Sequence, residues 1–136
     1  MNIDWNNSEA KISKFFSVRE VTQNDKRRIP IKGSSVEGNI LLLADKMDTV
    51  RGLWGRPIKV SSWYRPYTVN LEVGGVSNSQ HLSGRAIDVY SDYGDSLSFE
   101  KFLDDVWGDL ALGYGVRSGK GFTHLDLRAG HIRFWY

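Results

Sequence analysis

A chain of 136 residues, 40% hydrophobic and 25% charged, holds enough apolar material for one core and fits a single domain. Cysteine is absent, which excludes a disulfide framework and a thiolate metal site, so any metal must be held by histidine and carboxylate. The formal net charge of +2 is too small to argue for nucleic acid, and the longest apolar run, Ile40 to Ala44, is too short to span a bilayer.

A pI near 8.9 leaves a mild bias towards an anionic partner, and wall polymers, lipids and RNA all qualify. Five Trp, six Tyr and six Phe suit either a tightly packed small core or a groove for a polymer. Asp4 and Glu9 stand where a signal peptide would carry basic and then apolar residues, so synthesis in the cytoplasm without a signal peptide is the expectation. A monomer is expected, with neither a membrane nor a nucleic acid as partner.

In chain order, residues 1–14 read as a polar arm with the apolar anchors Ile3, Trp5 and Ile12. Ser17-Val18-Arg19-Glu20 has the form of a capping box and predicts a short first helix. Lys26-Arg27-Arg28, followed by Pro30, reads as a loop with a solvated basic face. From Val36 to Trp54, Ile40, Leu43, Ala44, Met47, Val50, Leu53 and Trp54 follow the i, i+3, i+4, i+7 rule and predict a helix with one apolar stripe, closed by Gly55. Ile58 to Trp63 alternates as a strand and ends at Tyr64-Arg65-Pro66, and one helical turn is expected over Pro66 to Asn70.

The next stretch, residues 77–90, opens as a polar loop carrying His81, turns at Gly84 and runs into a β-branched strand. The pleat sets Ile87 and Val89 on one face and Ala86, Asp88 and Tyr90 on the other. Ser98 is expected to cap a helix of about three turns whose buried positions are Phe99, Phe102, Leu103, Val106 and Trp107, with Asp104, Asp105 and Asp109 on the solvated side. Leu112 to Arg117 and Phe122 to Arg128 read as two strands of a hairpin. The alternation in the second is strict, with Phe122, His124, Asp126 and Arg128 sharing a face. The sum is one α+β domain over residues 15–136, with helices on one side of a small antiparallel sheet.

Two imidazoles and one carboxylate, from His81, Asp88 and His124, are the donor types of a catalytic zinc site with an open position. The same residues also suit two hydrogen-bonded histidines with Asp88 in a salt bridge to Arg85 or Arg128. His131 reads as a surface or aromatic-packed histidine rather than a ligand. Arg65, at the end of a strand, can aim its guanidinium at a carboxylate, either of a ligand or within the fold.

Ser79-x-His81-x-x-Gly84-x-Ala86-x-Asp88, followed by His124-x-Asp126 and preceded by Ser62-x-Tyr64-Arg65, Asn70 and Gly74-Gly75, resembles the zinc D-Ala-D-Ala metallopeptidase family, which shares its fold with the hedgehog signalling domain. The similarity runs from about Phe15 onwards, and Arg133-Phe134-Trp135 looks like the Arg-x-Trp segment of the carboxypeptidase branch. The resemblance implies one zinc ion held by His81, Asp88 and His124, and Arg65 and Ser79 close to the substrate. It implies a peptidoglycan stem peptide as that substrate. Other branches carry Glu or Asp three residues before the last histidine ligand, where this chain has Gly121.

Asp126 is then the candidate general base, or else a partner that orients a ligand or pairs with Arg128. Tyr64, Tyr114, Trp63 and Tyr90 are candidates to line a groove, each of them equally suited to a core and Trp63 better suited to it. A phage lysin, released to the wall or carried in a virion, is the expected setting. A zinc-stabilised module of the same fold without catalysis is the alternative.

Overall fold

The computed structural model describes residues 2–136. Among the described residues are four helices, α1 (Val18–Thr22), α2 (Ser35–Trp54), α3 (Tyr67–Glu72) and α4 (Ser96–Val106), and five strands, β1 (Lys59–Ser62), β2 (Ala86–Tyr90), β3 (Leu110–Tyr114), β4 (Thr123–Ala129) and β5 (Arg133–Trp135). The strands form one sheet in the order β1-β2-β4-β3-β5. Four of them pair antiparallel as expected, but β5 lies parallel to β3, so the sheet is mixed. The α+β class stands.

Each helix forms where its ends are satisfied. Glu20 reaches back to the Ser17 backbone N–H at 2.9 Å, the reciprocal half of the capping pattern at α1. The Ser34 hydroxyl accepts from the Glu37 N–H at the start of α2, which stops at Gly55. Ile40, Leu43, Ala44, Met47 and Val50 are buried along its inner stripe, and Trp54 stacks against Phe99 and Phe102 of α4 with ring centroids 5.0 Å away in both cases. Leu53 is 64% exposed, because the stripe drifts off the core in the last turn. Val106 is likewise 36% exposed at the end of α4, which begins two residues earlier than Ser98. Lys26–Arg28 forms a 3-10 turn whose Arg27 bridges Asp25 and Glu72, fastening it to α3.

The first residues are tied into the same core. Ile3, Trp5 and Ile12 are each at most 5% exposed. Trp5 Nε1 donates to Glu37 at 2.6 Å, and the Ser13 hydroxyl and Phe15 N–H donate to Asp48, so α2 holds this segment at both ends.

The two faces of the sheet have different jobs. Ile87, Leu125 and Leu112 lie side by side across β2, β4 and β3 and are fully buried against α2 and α4. The opposite face carries, in one row, Ser62, Asp88, His124, Gly113 and Phe134. Helix packing therefore fixes the pleat, and the pleat delivers the polar row to the other side.

Two acidic residues of α4 act inside the fold. Glu100, fully buried, accepts from the backbone N–H groups of Val116 and Arg117 and from the Thr123 hydroxyl, clamping the β3–β4 connection onto the helix. Asp104, expected on the solvated face, instead accepts from Tyr114 and Arg133. Glu100→Ala strands the buried Thr123 hydroxyl and two part-buried N–H donors, and we expect a loss of about 2–4 kcal/mol in chemical denaturation with an unchanged m-value.

Candidate metal centre

His81 sits in a 3-10 turn, Gln80–Ser83, whose first N–H groups are organised by Ser79: its hydroxyl accepts from the His81 N–H at 3.1 Å. The turn ends at Gly84, with φ +74 and a backbone so close to α2 that a Cβ there would come within 2.8 Å of Ile40. Asn39 of α2 also donates to the Ser83 carbonyl. This docking folds the loop back over β2, and Arg65 N–H donates to the His81 carbonyl at 3.0 Å to complete the anchor.

The side chain of His81 is 2% exposed and is oriented through its backbone neighbour: Nδ1 meets the Trp63 carbonyl at 2.5 Å. With its proton on Nδ1, the ring presents a lone pair on Nε2. That atom is buried, has no hydrogen-bond partner, and points to Asp88 Oδ2 at 3.2 Å. His124 is fixed in the complementary sense. Its Nε2 meets Asp126 Oδ2 at 2.7 Å, leaving Nδ1 towards Asp88 Oδ1 at 2.9 Å. One ligand atom from each of His81, Asp88 and His124 lies within 4.8 Å of the other two. Two nitrogens with defined lone pairs and a carboxylate between them fit a divalent ion of the zinc type.

Asp126 does not stand free as a base. Both its oxygens are engaged, Oδ2 by His124 and by Arg128 Nη2 at 2.8 Å, Oδ1 by the Arg128 N–H and Nε, and the residue is fully buried between Ala86 and Ala111. A reading from strand rise places it about 7 Å along from His124, yet the carboxylate curls back onto the ring. That placement is the one from which carboxylates behind metal-binding histidines orient the ring and set its tautomer.

Burial works against charge throughout the cluster, and local partners outweigh it. Asp88 is held well below the usual carboxylate range by His81 and by the bond from His124. Asp126 is brought down to about 2 by its bonds from His124 and Arg128. For His124 the bonds to Asp126 and Asp88 overcome desolvation and raise the pKa above the usual imidazole value.

Arg65 lies half-buried beside this cluster, under the influence of Asp88, and burial lowers its pKa. Among the described residues it forms no salt bridge; its guanidinium meets only the Ser79 hydroxyl, at 3.5 Å, and its Nε is buried without a partner. Arg65 and Ser79 are thus brought to the His81 side of the site.

Tyr114 is not: alternation turns it to the helix face, where its hydroxyl donates to Asp104 and its ring stacks on Trp135. Tyr64 packs half-buried on the hydrophobic core, and burial raises its phenol pKa. Trp63 is fully buried edge-on to Phe16, and serves the site only through its carbonyl. Tyr90 lies opposite Lys59 at the end of β2. His131 is exposed, with Nδ1 on the Gly108 carbonyl, away from the cluster.

Comparison with known proteins decides the family. The profile described as Peptidase M15 matches residues 15–126. The chain belongs to the peptidase M15 family. A curated relative, the zinc D-Ala-D-Ala carboxypeptidase of Streptomyces albus G, is 28% identical over 106 residues, covering 77% of this chain and 41% of that protein. The chain therefore spans well under half the length of that relative. The three ligand-type residues of this M15 chain, as well as Arg65 and Ser79, all fall inside the matched stretch, whereas residues 127–136 fall outside it.

What sequence reasoning did not find at the site is Phe134, whose ring lies 5.4 Å from that of His124. Its signal was the i, i+2 spacing of Phe134 and Tyr136, too short to read without knowing its partner strand.

The Asp126 arrangement has two measurable consequences. In metal-free protein its depressed pKa contributes stability that is complete above the ordinary carboxylate value of 3.8 and is lost as pH falls towards about 2. Asp126→Asn should flatten that part of the acid-unfolding curve, followed by circular dichroism. The same change should weaken zinc affinity by about 10–100-fold, read by competition with a chromogenic chelator, because His124 loses its orienting partner.

Proposed function

We propose that the chain is a zinc-dependent peptidase that hydrolyses an amide bond in the stem peptide or cross-bridge of peptidoglycan, in the manner of a D-Ala-D-Ala carboxypeptidase or endopeptidase. The observation that carries the reading is the buried, unpartnered Nε2 of His81 facing Asp88 and the ring of His124, next to an arginine with no carboxylate of its own. A structural histidine pair would leave neither group unsatisfied.

His81 Nε2, Asp88 and His124 Nδ1 would hold the ion. When bound, zinc supplies Lewis-acid polarisation of the scissile carbonyl and brings a water into the range of deprotonation near neutral pH. The residues of the chain do the rest. Trp63 and Asp126 keep both imidazoles in the tautomers that donate lone pairs. Arg65 binds a carboxylate or carbonyl group of the stem peptide, with Ser79 holding the guanidinium in place.

The similarity to the Streptomyces albus G carboxypeptidase supports the substrate class. In its finer form the proposal is a lysin of phage origin acting on the wall after release or from a virion, and lysis of a target cell suspension by added protein tests it. Among the described residues, no helix is long and apolar enough to cross a membrane.

Gly121 favours a second reading. Its φ of +80 suits no carboxylate-bearing residue without strain, so the position used by other branches for an acid is closed here, as in a zinc-stabilised binding module that has lost catalysis.

A muropeptide digest analysed by mass spectrometry separates the two readings. Zinc-dependent appearance of new amino or D-Ala ends, abolished by His81→Ala, is the expected result; intact stem peptides in the presence of stoichiometric zinc give the second reading instead. Within the first, Arg65→Lys should lower kcat/KM by about 10–100-fold, mainly through KM, because the planar fork is lost while the charge stays.

A further inference from the structure

The sheet brings one more polar group to the metal face. β5 runs parallel to β3 with Phe134 in register with Gly113, and Gly113 is in turn opposite His124. Arg133 and Trp135 face the helix side, on Asp104 and Tyr114. Alternation therefore sends Phe134 and Tyr136 to the side of His124 and Asp88.

Contacts confirm the direction. Tyr136 packs on Phe134 at 5.6 Å and edge-on to Phe122 at 5.3 Å, with its backbone N–H on the Ser118 hydroxyl. A Cβ on Gly113 would lie 2.6 Å from the Phe134 ring and 3.1 Å from Tyr136 Cε2. The glycine in the row of the metal ligands clears the space that these two rings occupy.

The hydroxyl of Tyr136 is unusual in having nothing to do within the fold. Among the described residues it makes no hydrogen bond, and the side chain is half exposed. The charges that act on it are those of the site: Asp88, Asp126, Arg65 and Arg128. Burial first, and then Asp88, push the phenol pKa up, so it remains a donor at neutral pH. Asp126 is fully engaged and Gly121 offers no side chain, so the other donors on this face are Arg65 and the hydroxyls of Ser62, beside Asp88, and Ser79, beside Arg65.

We propose that Tyr136 is a catalytic residue of this centre: its neutral phenol donates a hydrogen bond to the carbonyl oxygen of the scissile amide as negative charge builds there, while Phe134 and Phe122 form the wall along which the peptide lies. The inference rests on the peptidase reading and adds to it a residue outside the family match. A purely structural Tyr136 would serve equally well as phenylalanine, since every ring contact survives that change.

Tyr136→Phe is the test, with Tyr136→Met as a second variant that keeps a large apolar side chain and carries no hydrogen-bond donor. Expected for both are the wild-type zinc content and thermal midpoint, KM for a D-Ala-D-Ala stem peptide within about threefold of wild type, and kcat lower by about 10–1000-fold. Affinity for a phosphinate isostere of the D-Ala-D-Ala bond, measured by calorimetry, should fall at least about tenfold in step with kcat. If wild-type protein cleaves the peptide while both variants stay within twofold in kcat and in phosphinate affinity, the Tyr136 assignment is overturned and the peptidase reading survives. Zinc-loaded wild type that neither cleaves stem peptides nor binds the phosphinate overturns both.

Discussion

The antiparallel register of β2 against β4 is the constraint on which the rest depends. It sets Ile87 opposite Leu125 and, one step on, Asp88 opposite His124. Since neighbouring residues on a strand point to opposite faces, burying the first pair against α2 and α4 forces the second pair onto the other side, next to each other. A slip of one residue in β2 would bury the Asp88 carboxylate in the core and expose Ile87. Core packing and site assembly are thus one decision, enforced by the least forgiving part of the molecule.

Around that pair, the remaining site is built with backbone and outer carboxylates. The loop bearing His81 is held by Ser79, by Gly84 against α2, and by Trp63, whose side chain belongs to the core and whose carbonyl belongs to the site. Asp126 and Arg128 neutralise each other while fixing His124. The outcome is a cluster that leaves buried polar atoms without partners where a ligand would sit, among them His81 Nε2 on one side and Arg65 Nε on the other. Unmade bonds in a buried place are costly, and a fold retains them where something else completes them.

Much of this was legible before the structure, for reasons specific to each element. β4 alternates without exception, so His124 and Asp126 could be put on one face from their spacing alone. Val36 to Trp54 carries a long 3.6-residue period, and its ends have cap residues. What escaped depends on contacts between distant segments. β5 is three residues long and gains its hydrogen bonds from a parallel neighbour, a pairing that leaves no local pattern. The burial of Glu100 follows from the N–H groups of a loop 16 and 17 residues away, and Asp104 is drawn inward by Arg133. Tyr114 looked like a groove residue only while its strand face was unknown. The turn of the Asp126 carboxylate back onto His124 and Arg128 is a side-chain torsion that no spacing encodes.

The most direct measurement is a long-range proton–nitrogen correlation spectrum of the histidine side chains, recorded with and without zinc. Zinc bound through His81 Nε2 and His124 Nδ1, with the remaining protons on His81 Nδ1 and His124 Nε2, is the predicted result. Histidine nitrogens unchanged by stoichiometric zinc, or zinc bound through the opposite nitrogens, would contradict the way the fold is said to prepare this centre.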